Sequence, residues 1–371
     1  MAQATLHDKV MHLAARAPGL AALWRSYHFA LGAWTRSSRL GKLLRRSSSY
    51  GSFGVLAGLR GHLLRRAHRW PALASYVARF GTVSPLYGYS VWLKHLVLQQ
   101  AHGAHESLPR VVVEVGPGDS LASGLAALLC GANEYYGLDV VAYPNPEANK
   151  RALAAIVGYY RARTERIREH PGKGDPYLDA FGFPSHLLSE DVLARALDPE
   201  RIARIERALV APDGRCEEIV IRFCRPDAPE LAALRGRVQM LFSHAALEHV
   251  MDLPAAYALY VELLAPSGTM SHQIDFASHN LALEWNGHWT YTEAQWAQIL
   301  GTRPYVINRA PCGQHLALIE AQRCQILWLT RDLKPIGSPR HRLADPFRVL
   351  APHDLQCRGA FIVAKRQPRG A

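Results

Sequence analysis

The stretch Val111-Val-Val-Glu114-Val-Gly116-Pro117-Gly118-Asp119-Ser120 decides the fold. Four valines around a single acid make a short β-branched run, the pattern of a strand buried on both faces of a sheet. Two glycines then turn the chain, because glycine reaches backbone angles that other residues avoid. Leu121 to Cys130 follows as an apolar helix. A strand, a glycine turn and a helix open an α/β domain.

The alternation continues outward. Tyr135 to Val141 reads as a second strand, residues 147–168 as a polar-faced helix, and 171–190 as a Pro/Gly-rich loop. A helix spans 190–209. Glu218 to Cys224 is the third strand and Val238 to Ser243 the fourth. A helix at 254–264 stops at Pro266-Ser-Gly268, and Thr269 to Phe276 is the fifth strand. Thr292 opens a helix with Gln295 placed for a capping box. Cys324 to Thr330 and Ala360 to Ala364 supply the last two strands. Seven strands alternating with helices predict a mostly parallel, Rossmann-like sheet.

The 371 residues are 49% hydrophobic and 20% charged, which suffices to bury a core and excludes global disorder. No charge-free apolar stretch reaches the roughly 18–20 residues of a membrane-spanning helix. Asp8, Lys9, Arg16 and Arg25 interrupt the N-terminal apolar stretches before a secretory signal forms. The expectation is a cytoplasmic protein. The six cysteines form no C-x-x-C pair and read as buried thiols of a reducing compartment.

Charge divides the chain at residue 105. Residues 1–105 hold fourteen Lys and Arg against one acid, Asp8, whereas 106–371 are nearly neutral. The expected organisation is a basic, mainly helical N-terminal region at 1–105 and an α/β domain at 106–371. Trp24, Trp34 and Trp70 are interleaved with the basic residues. Such an arm suits an anionic membrane surface at the inner face of the membrane. It equally suits phosphate groups of a nucleic acid or a pyrophosphate-bearing substrate, or forms a solvated face on a helical cap.

The glycine turn carries the first chemistry. Glycines let a ligand approach the backbone, and amides at a helix start favour negative charge. Asp139, at the end of the second strand, is placed to accept both ribose hydroxyls of a nucleoside. The dinucleotide fingerprint G-x-G-x-x-G is not met, since Leu121 stands at its third glycine and Asp119 would face the phosphates. Acids at both places suit a cationic ligand, and S-adenosylmethionine carries a sulfonium and an ammonium group.

The fourth strand ends at Ser243-His244-Ala-Ala-Leu247-Glu248-His249-Val250, beside the point where a doubly wound sheet binds ligands. With Glu114-Val-Gly-Pro-Gly-Asp-Ser120 and Gly137-Leu-Asp139-Val140, this segment resembles class I S-adenosylmethionine-dependent methyltransferases over residues 110–366. Gly-Pro-Gly-Asp-Ser followed by Tyr136-x-x-Asp139-Val-Val, Ser271-His-Gln-Ile-Asp275 and Asn308-Arg309 is similar to methyltransferases of bacterial surface-polysaccharide loci. The resemblance implies S-adenosyl-L-methionine as cofactor and an antiparallel last strand from Gly359 to Lys365. It implies that Glu114 and Asp119 border the methionine end, that Gly116 and Gly118 give backbone room, and that Asp139 holds the ribose. Pro117, Ser120 and Val140 join the cofactor-binding set. Asp227 is placed at the adenine, with Ser243 and His244 lining the pocket opposite. The acceptor it implies is a sugar hydroxyl of a cell-surface glycan or its lipid-linked precursor.

A sugar hydroxyl is a poor nucleophile, so a general base is expected. His249, His272, Asp275, His279 and His288 cluster after strands four and five. His272 and Asp275 end strand five and are the first choice as base and partner. Glu248 and His249 also suit a packing or capping role at the next helix. Cys312 follows Pro311 too late in the chain for a cytosine-methylating nucleophile and reads as structural. Three other readings stay open: an RNA methyltransferase, an NAD-dependent sugar oxidoreductase, and a non-catalytic binding protein of the same fold.

Overall fold

The computed structural model describes residues 84–103, 107–118, 120–140, 145–167, 175–279, 281, 282, 284–300 and 306–367. Most of the basic region at 1–105, and Asp119 in the glycine turn, lie outside the described residues.

The described chain forms two compact units. Residues 84–274, 312–332 and 359–367 make the larger, and 275–311 with 333–358 the smaller. Eight strands form one sheet: β1 (Val111–Val115), β2 (Glu134–Leu138), β3 (Arg215–Cys216), β4 (Ile219–Cys224), β5 (Val238–His244), β6 (Leu264–Asp275), β7 (Cys324–Leu333) and β8 (Cys357–Arg366). Their order is β3-β4-β2-β1-β5-β6-β8-β7. The sheet is mostly parallel with antiparallel end strands.

Seven of these strands were expected. The eighth, β3, pairs antiparallel with β4 through a two-residue turn at Glu217-Glu218. Glu217 adopts φ 53°. Hairpin turns of this kind usually advertise themselves with Gly or Asn, and here they do not.

Helices flank the sheet in the larger unit: α1 (Pro85–His102), α2 (Ala122–Leu128), α3 (Pro146–Arg161), α4 (Glu190–Ala196), α5 (Pro199–Val210) and α6 (Leu253–Leu263). Helix α7 (Glu293–Leu300) lies in the smaller unit and α8 (Cys312–Ala321) in the larger. Their starts follow local chemistry. Ser84, Asn145, Asp198 and Asp252 each accept a backbone N–H at an N-cap, and Pro85, Pro146 and Pro199 occupy the first turn. The single helix expected over 190–209 is two, because proline at 199 disfavours helical backbone at Asp198, which caps the second instead.

The core of the larger unit joins one sheet face to α1, α2 and α3. Trp92, Leu93 and Leu96 of α1 pack with Leu125, Ile156, Val112, Tyr135 and Phe242. Helix α1 falls within the residues that charge assigns to the N-terminal region. Glycine permits its approach to α2, since a Cβ on Gly88 would lie 2.5 Å from the Ala122 methyl. Five of the six cysteines are buried and all are free thiols, as their spacing implied.

In the smaller unit, the expected capping box forms: Thr292 N donates to Gln295 Oε1 at 3.0 Å and Gln295 N to Thr292 Oγ1 at 3.3 Å. Asn286 joins the two chain segments of this unit by bonding both backbone groups of Ser338.

Candidate functional site

The chain leaves β1 through Gly116 and Gly118, at φ 73° and 66°, a left-handed backbone that side chains resist. A Cβ on Gly116 would stand 2.5 Å from the Ala246 methyl, so the chain after β5 lies directly against the turn. Gly116 N donates to Leu138 O at 2.8 Å, tying the turn to the end of β2. Pro117 packs over Gly137, where a Cβ would meet the proline ring at 3.0 Å. Ser120 Oγ accepts from Ala122 N and Asn149 Oδ1 from Leu121 N, both at 3.2 Å, which fixes the entry to α2.

Glu114 is the one charged residue inside β1. Ser123 donates to its two oxygens at 2.7 and 2.5 Å, and the Tyr135 hydroxyl donates at 2.6 Å. Burial pushes its carboxyl up to about 7 against the pull of these hydrogen bonds. Both oxygens therefore serve the packing of α2 on β1 and β2.

Asp139 ends β2. Its N–H donates to Cys224 O at 3.1 Å, and its Oδ1 accepts from Val140 N at 2.7 Å. Arg225 donates to Asp227 Oδ1 and to Val140 O, each at 3.0 Å. The hydrogen bond from Arg225 holds the exposed Asp227 carboxyl below its ordinary range. Asp139, Val140 and Asp227 thus stand together at the C-terminal ends of β2 and β4.

The end of β5 sends neighbouring side chains to opposite faces. Ser243 is fully buried and its Oγ bonds His272 Nδ1 at 2.8 Å. The His272 ring lies against Tyr257 and Tyr260 of α6. Burial, reinforced by His315, pushes it down to about 3, and its Nε2 has no partner among the described residues. His244 points the other way, toward α1. Its Nδ1 lies 3.2 Å from His95 Nε2, and His95 Nδ1 lies 2.7 Å from Ser271 Oγ. Leu247 to His249 form one 3-10 turn in which Glu248 is buried and His249 half-buried.

The smaller unit holds the other titratable candidates. Asp275 Oδ2 lies 3.3 Å from His279 Nε2, and Oδ1 accepts from Ala277 N at 2.9 Å. Burial raises the Asp275 carboxyl, but hydrogen bonds from the His279 ring and the Ala277 N–H, with the charge of that ring, act against it and the net direction is downward. His279 adopts φ 46°. His288 is buried, and burial pushes its ring down to about 3, helped by His279 and Arg309. Arg309 lies between the rings of Trp296 and Phe347, 5.1 and 4.8 Å from their centres, and donates to Tyr291 O and Glu293. Asp275 is thus partnered by His279, and His272 by Ser243.

Sequence reasoning passed over Ser123, Tyr135, Asn149, Arg225 and His95. His95 alone left a signal: Lys94-His95 interrupts an otherwise apolar helical run, and both side chains are buried. Such groups need partners.

Among the described residues, the larger unit brings the cofactor candidates Glu114, Gly116, Pro117, Gly118, Ser120, Asp139, Val140, Asp227, Ser243 and His244 to the C-terminal ends of adjacent strands or the turns that follow. No protein-family model matches the chain, and no curated protein matches it. Solved structures similar to it include the YcgJ protein of Bacillus subtilis, 11% identical over 75% of this chain and 99% of that one, with a TM-score of 0.35. An S-adenosylmethionine-dependent methyltransferase of Mesorhizobium loti is 15% identical over 74% of this chain and 98% of that one, TM-score 0.33. Geranyl diphosphate C-methyltransferase of Streptomyces coelicolor A3(2), solved with Mg2+, geranyl-S-thiolodiphosphate and S-adenosyl-L-homocysteine, is 13% identical over 73% and 74%, TM-score 0.35. S-adenosylmethionine is the cofactor of such neighbours.

Proposed function

We propose that this chain is an S-adenosylmethionine-dependent methyltransferase. One observation carries the reading: Gly116 and Gly118 turn the chain at the junction of β1 and β5, with Asp139 one strand away at the end of β2. In this strand order the sheet is wound outward in both directions from that junction, which is where doubly wound sheets take ligands.

The residues fit the cofactor's chemistry. Gly116, at φ 73° and packed against the Ala246 methyl, holds the turn at the strand ends, and Asp139 presents an acceptor suited to ribose hydroxyls. The acidic side chains Asp119 and Asp139 suit a cation better than a pyrophosphate. Bound there, S-adenosylmethionine supplies an activated methyl group, and the protein's part is to align it with an acceptor. Leu121, buried where a dinucleotide site has its third glycine, counts against NAD.

The acceptor we favour is a sugar hydroxyl in a cell-surface glycan or its lipid-linked precursor. The resemblance of its sequence motifs to methyltransferases of polysaccharide loci is the ground for this choice. Residues 1–105 would serve as the basic region that meets an anionic membrane surface or the acceptor's phosphates, with 106–371 as the catalytic domain, whose core also takes in α1 of that region.

Calorimetric titration of the full chain with S-adenosylhomocysteine, with NAD in parallel, tests the donor. Binding near 1 μM, about −8 kcal/mol, with no NAD binding is the expected result. Binding of NAD alone overturns the reading. Tritiated methyl transfer to lipid-linked oligosaccharides but not to RNA is the expected acceptor result, and the reverse overturns the glycan assignment.

A further inference from the structure

Six large apolar side chains are exposed among the described residues, and three of them fall within residues 333–349 of the smaller unit. Leu333 is 54% exposed, Ile336 40% and Val349 83%. Scattered singly, such residues need no partner; gathered in one short stretch, they mark a contact surface. The same stretch holds Lys334, Arg340, Arg342 and Arg348 against one acid, Asp345, whereas residues 106–371 together are nearly neutral. All four cations and His341 are exposed.

The stretch folds back on itself around two anchors. Leu343, fully buried, and Phe347 pack with Trp289 and Leu355. Ala344 N donates to Trp289 O at 2.9 Å. A 3-10 turn at Arg340–Arg342 precedes these anchors, and a short helix at Asp345–Arg348 carries the second. The Arg340 guanidinium donates to Arg348 O, which brings the turn against the end of the helix, next to Val349. Arg348 donates to Leu343 O at 2.7 Å and pairs with Asp345 at 2.8 Å, so the one acid of the stretch is already neutralised. Pro335, Pro339 and Pro346 fix φ along the way. A surface ordered in advance gives up little entropy on docking.

We propose that residues 333–349 dock this protein on an anionic membrane surface. Guanidinium groups pair with lipid phosphates. Apolar neighbours then lie just below the headgroups, out of water. A nucleic acid would satisfy the cations but leave Leu333, Ile336 and Val349 in water, whereas an anionic bilayer takes both. The surface lies in a different part of the chain from the basic region at 1–105. Where the acceptor reading above holds, on which this step rests, docking selects the lipid-linked precursor over a free glycan, because that precursor is held at the same surface.

Flotation of the full chain with phosphatidylcholine vesicles, with and without phosphatidylglycerol, tests the surface in the absence of cofactor and acceptor. Wild-type protein is expected to bind the anionic vesicles and not the neutral ones. Arg342→Ala should weaken that binding about fivefold, the equivalent of about 1 kcal/mol for one cation near an anionic bilayer. Val349→Ser should also weaken vesicle binding, while its affinity for tRNA stays that of the wild type. Both side chains are exposed, so thermal unfolding of the two variants should match the wild type. An environment-sensitive fluorophore at Val349→Cys should shift to the blue on anionic vesicles as it leaves water.

Vesicle binding that is the same in Arg342→Ala, Val349→Ser and the wild type overturns the proposal, since any membrane contact then lies elsewhere in the chain. Loss of tRNA binding in Arg342→Ala, with no vesicle binding by the wild type, makes the stretch a nucleic-acid surface and overturns it equally. S-adenosylhomocysteine titration of the same samples separates this surface from the donor reading. Vesicle binding that depends on Arg342 and Val349, in a protein that binds no S-adenosylhomocysteine, supports the surface and removes the donor site.

Discussion

The Tyr135 hydroxyl donates to Glu114 Oε2 at 2.6 Å, joining β2 to β1 beneath the glycine turn. Burial raises the Glu114 carboxyl to about 7, so the folded state holds a proton that the unfolded chain releases near pH 4.5. Its contribution to stability is present at low pH and falls as pH rises through that window. Tyr135→Phe keeps the ring but removes a donor to the anion. The expected cost is about 1–3 kcal/mol when Glu114 is ionised, and less when it is protonated. Urea unfolding at about pH 6 and about pH 8 brackets the titration and measures the difference. Equal costs at the two values would show that the bond does not favour the anion.

Gly124 sits in α2, where alanine ordinarily stabilises a helix by about 1 kcal/mol. Here a Cβ would lie 2.2 Å from Cζ of the Tyr135 ring, far inside van der Waals contact. Gly124→Ala is therefore expected to destabilise, by about 1–3 kcal/mol in the range of overpacked cores. A second change, Tyr135→Ala, removes the obstruction, so the two costs should fall short of their sum. Thermal unfolding of the singles and the double measures this, and simple additivity would refute the clash.

Much of the fold was legible because local patterns and tertiary demands agree. Val111 to Val115 could be read as a strand because burial on both faces selects an unbroken apolar run. The Thr292–Gln295 capping box forms because it needs only residues three apart. Strand β3 was missed because Glu217-Glu218 carries no turn chemistry, and the strand exists through its pairing with β4. The site shows the same division. Gly116, Gly118 and Asp139 mark their places by spacing along one β-α-β unit. The partners of the histidines could not be read so: His95 and His244 are brought together across 149 residues. Which sheet face Ser243, His244, Ser271 and His272 address depends on the β5–β6 register.

Asp139→Ala removes the carboxylate proposed for the ribose while leaving the backbone bond from Asp139 N to Cys224 O in place. A hydrogen bond to a charged group is worth about 1.5–3 kcal/mol. Loss of a two-bond contact should weaken S-adenosylhomocysteine binding at least about 100-fold, near 3 kcal/mol. Circular dichroism should be unchanged, because the side chain sits at the end of β2 and not in the core. Calorimetry showing wild-type affinity in this variant would remove Asp139 from the donor site.

His272, His288 and His315 are each buried, and burial lowers each ring from its usual 6.5 to about 3. The unfolded chain binds protons at all three below pH 6.5, and the folded chain does not until about pH 3. Stability is therefore complete above the unfolded value and is lost as pH falls through this window. Each such ring adds a slope of about 1.4 kcal/mol per pH unit. His272→Gln replaces one by an uncharged group that still offers Ser243 a hydrogen-bonding partner. The variant should lose some stability near neutrality through altered packing, yet its unfolding free energy should fall less steeply toward acid. Urea midpoints and m-values collected between about pH 4 and about pH 7 give both quantities. A variant whose acid slope matches the wild type would mean that His272 takes up its proton in the folded state, which would require the ring to leave the contacts with Ser243 and Tyr257.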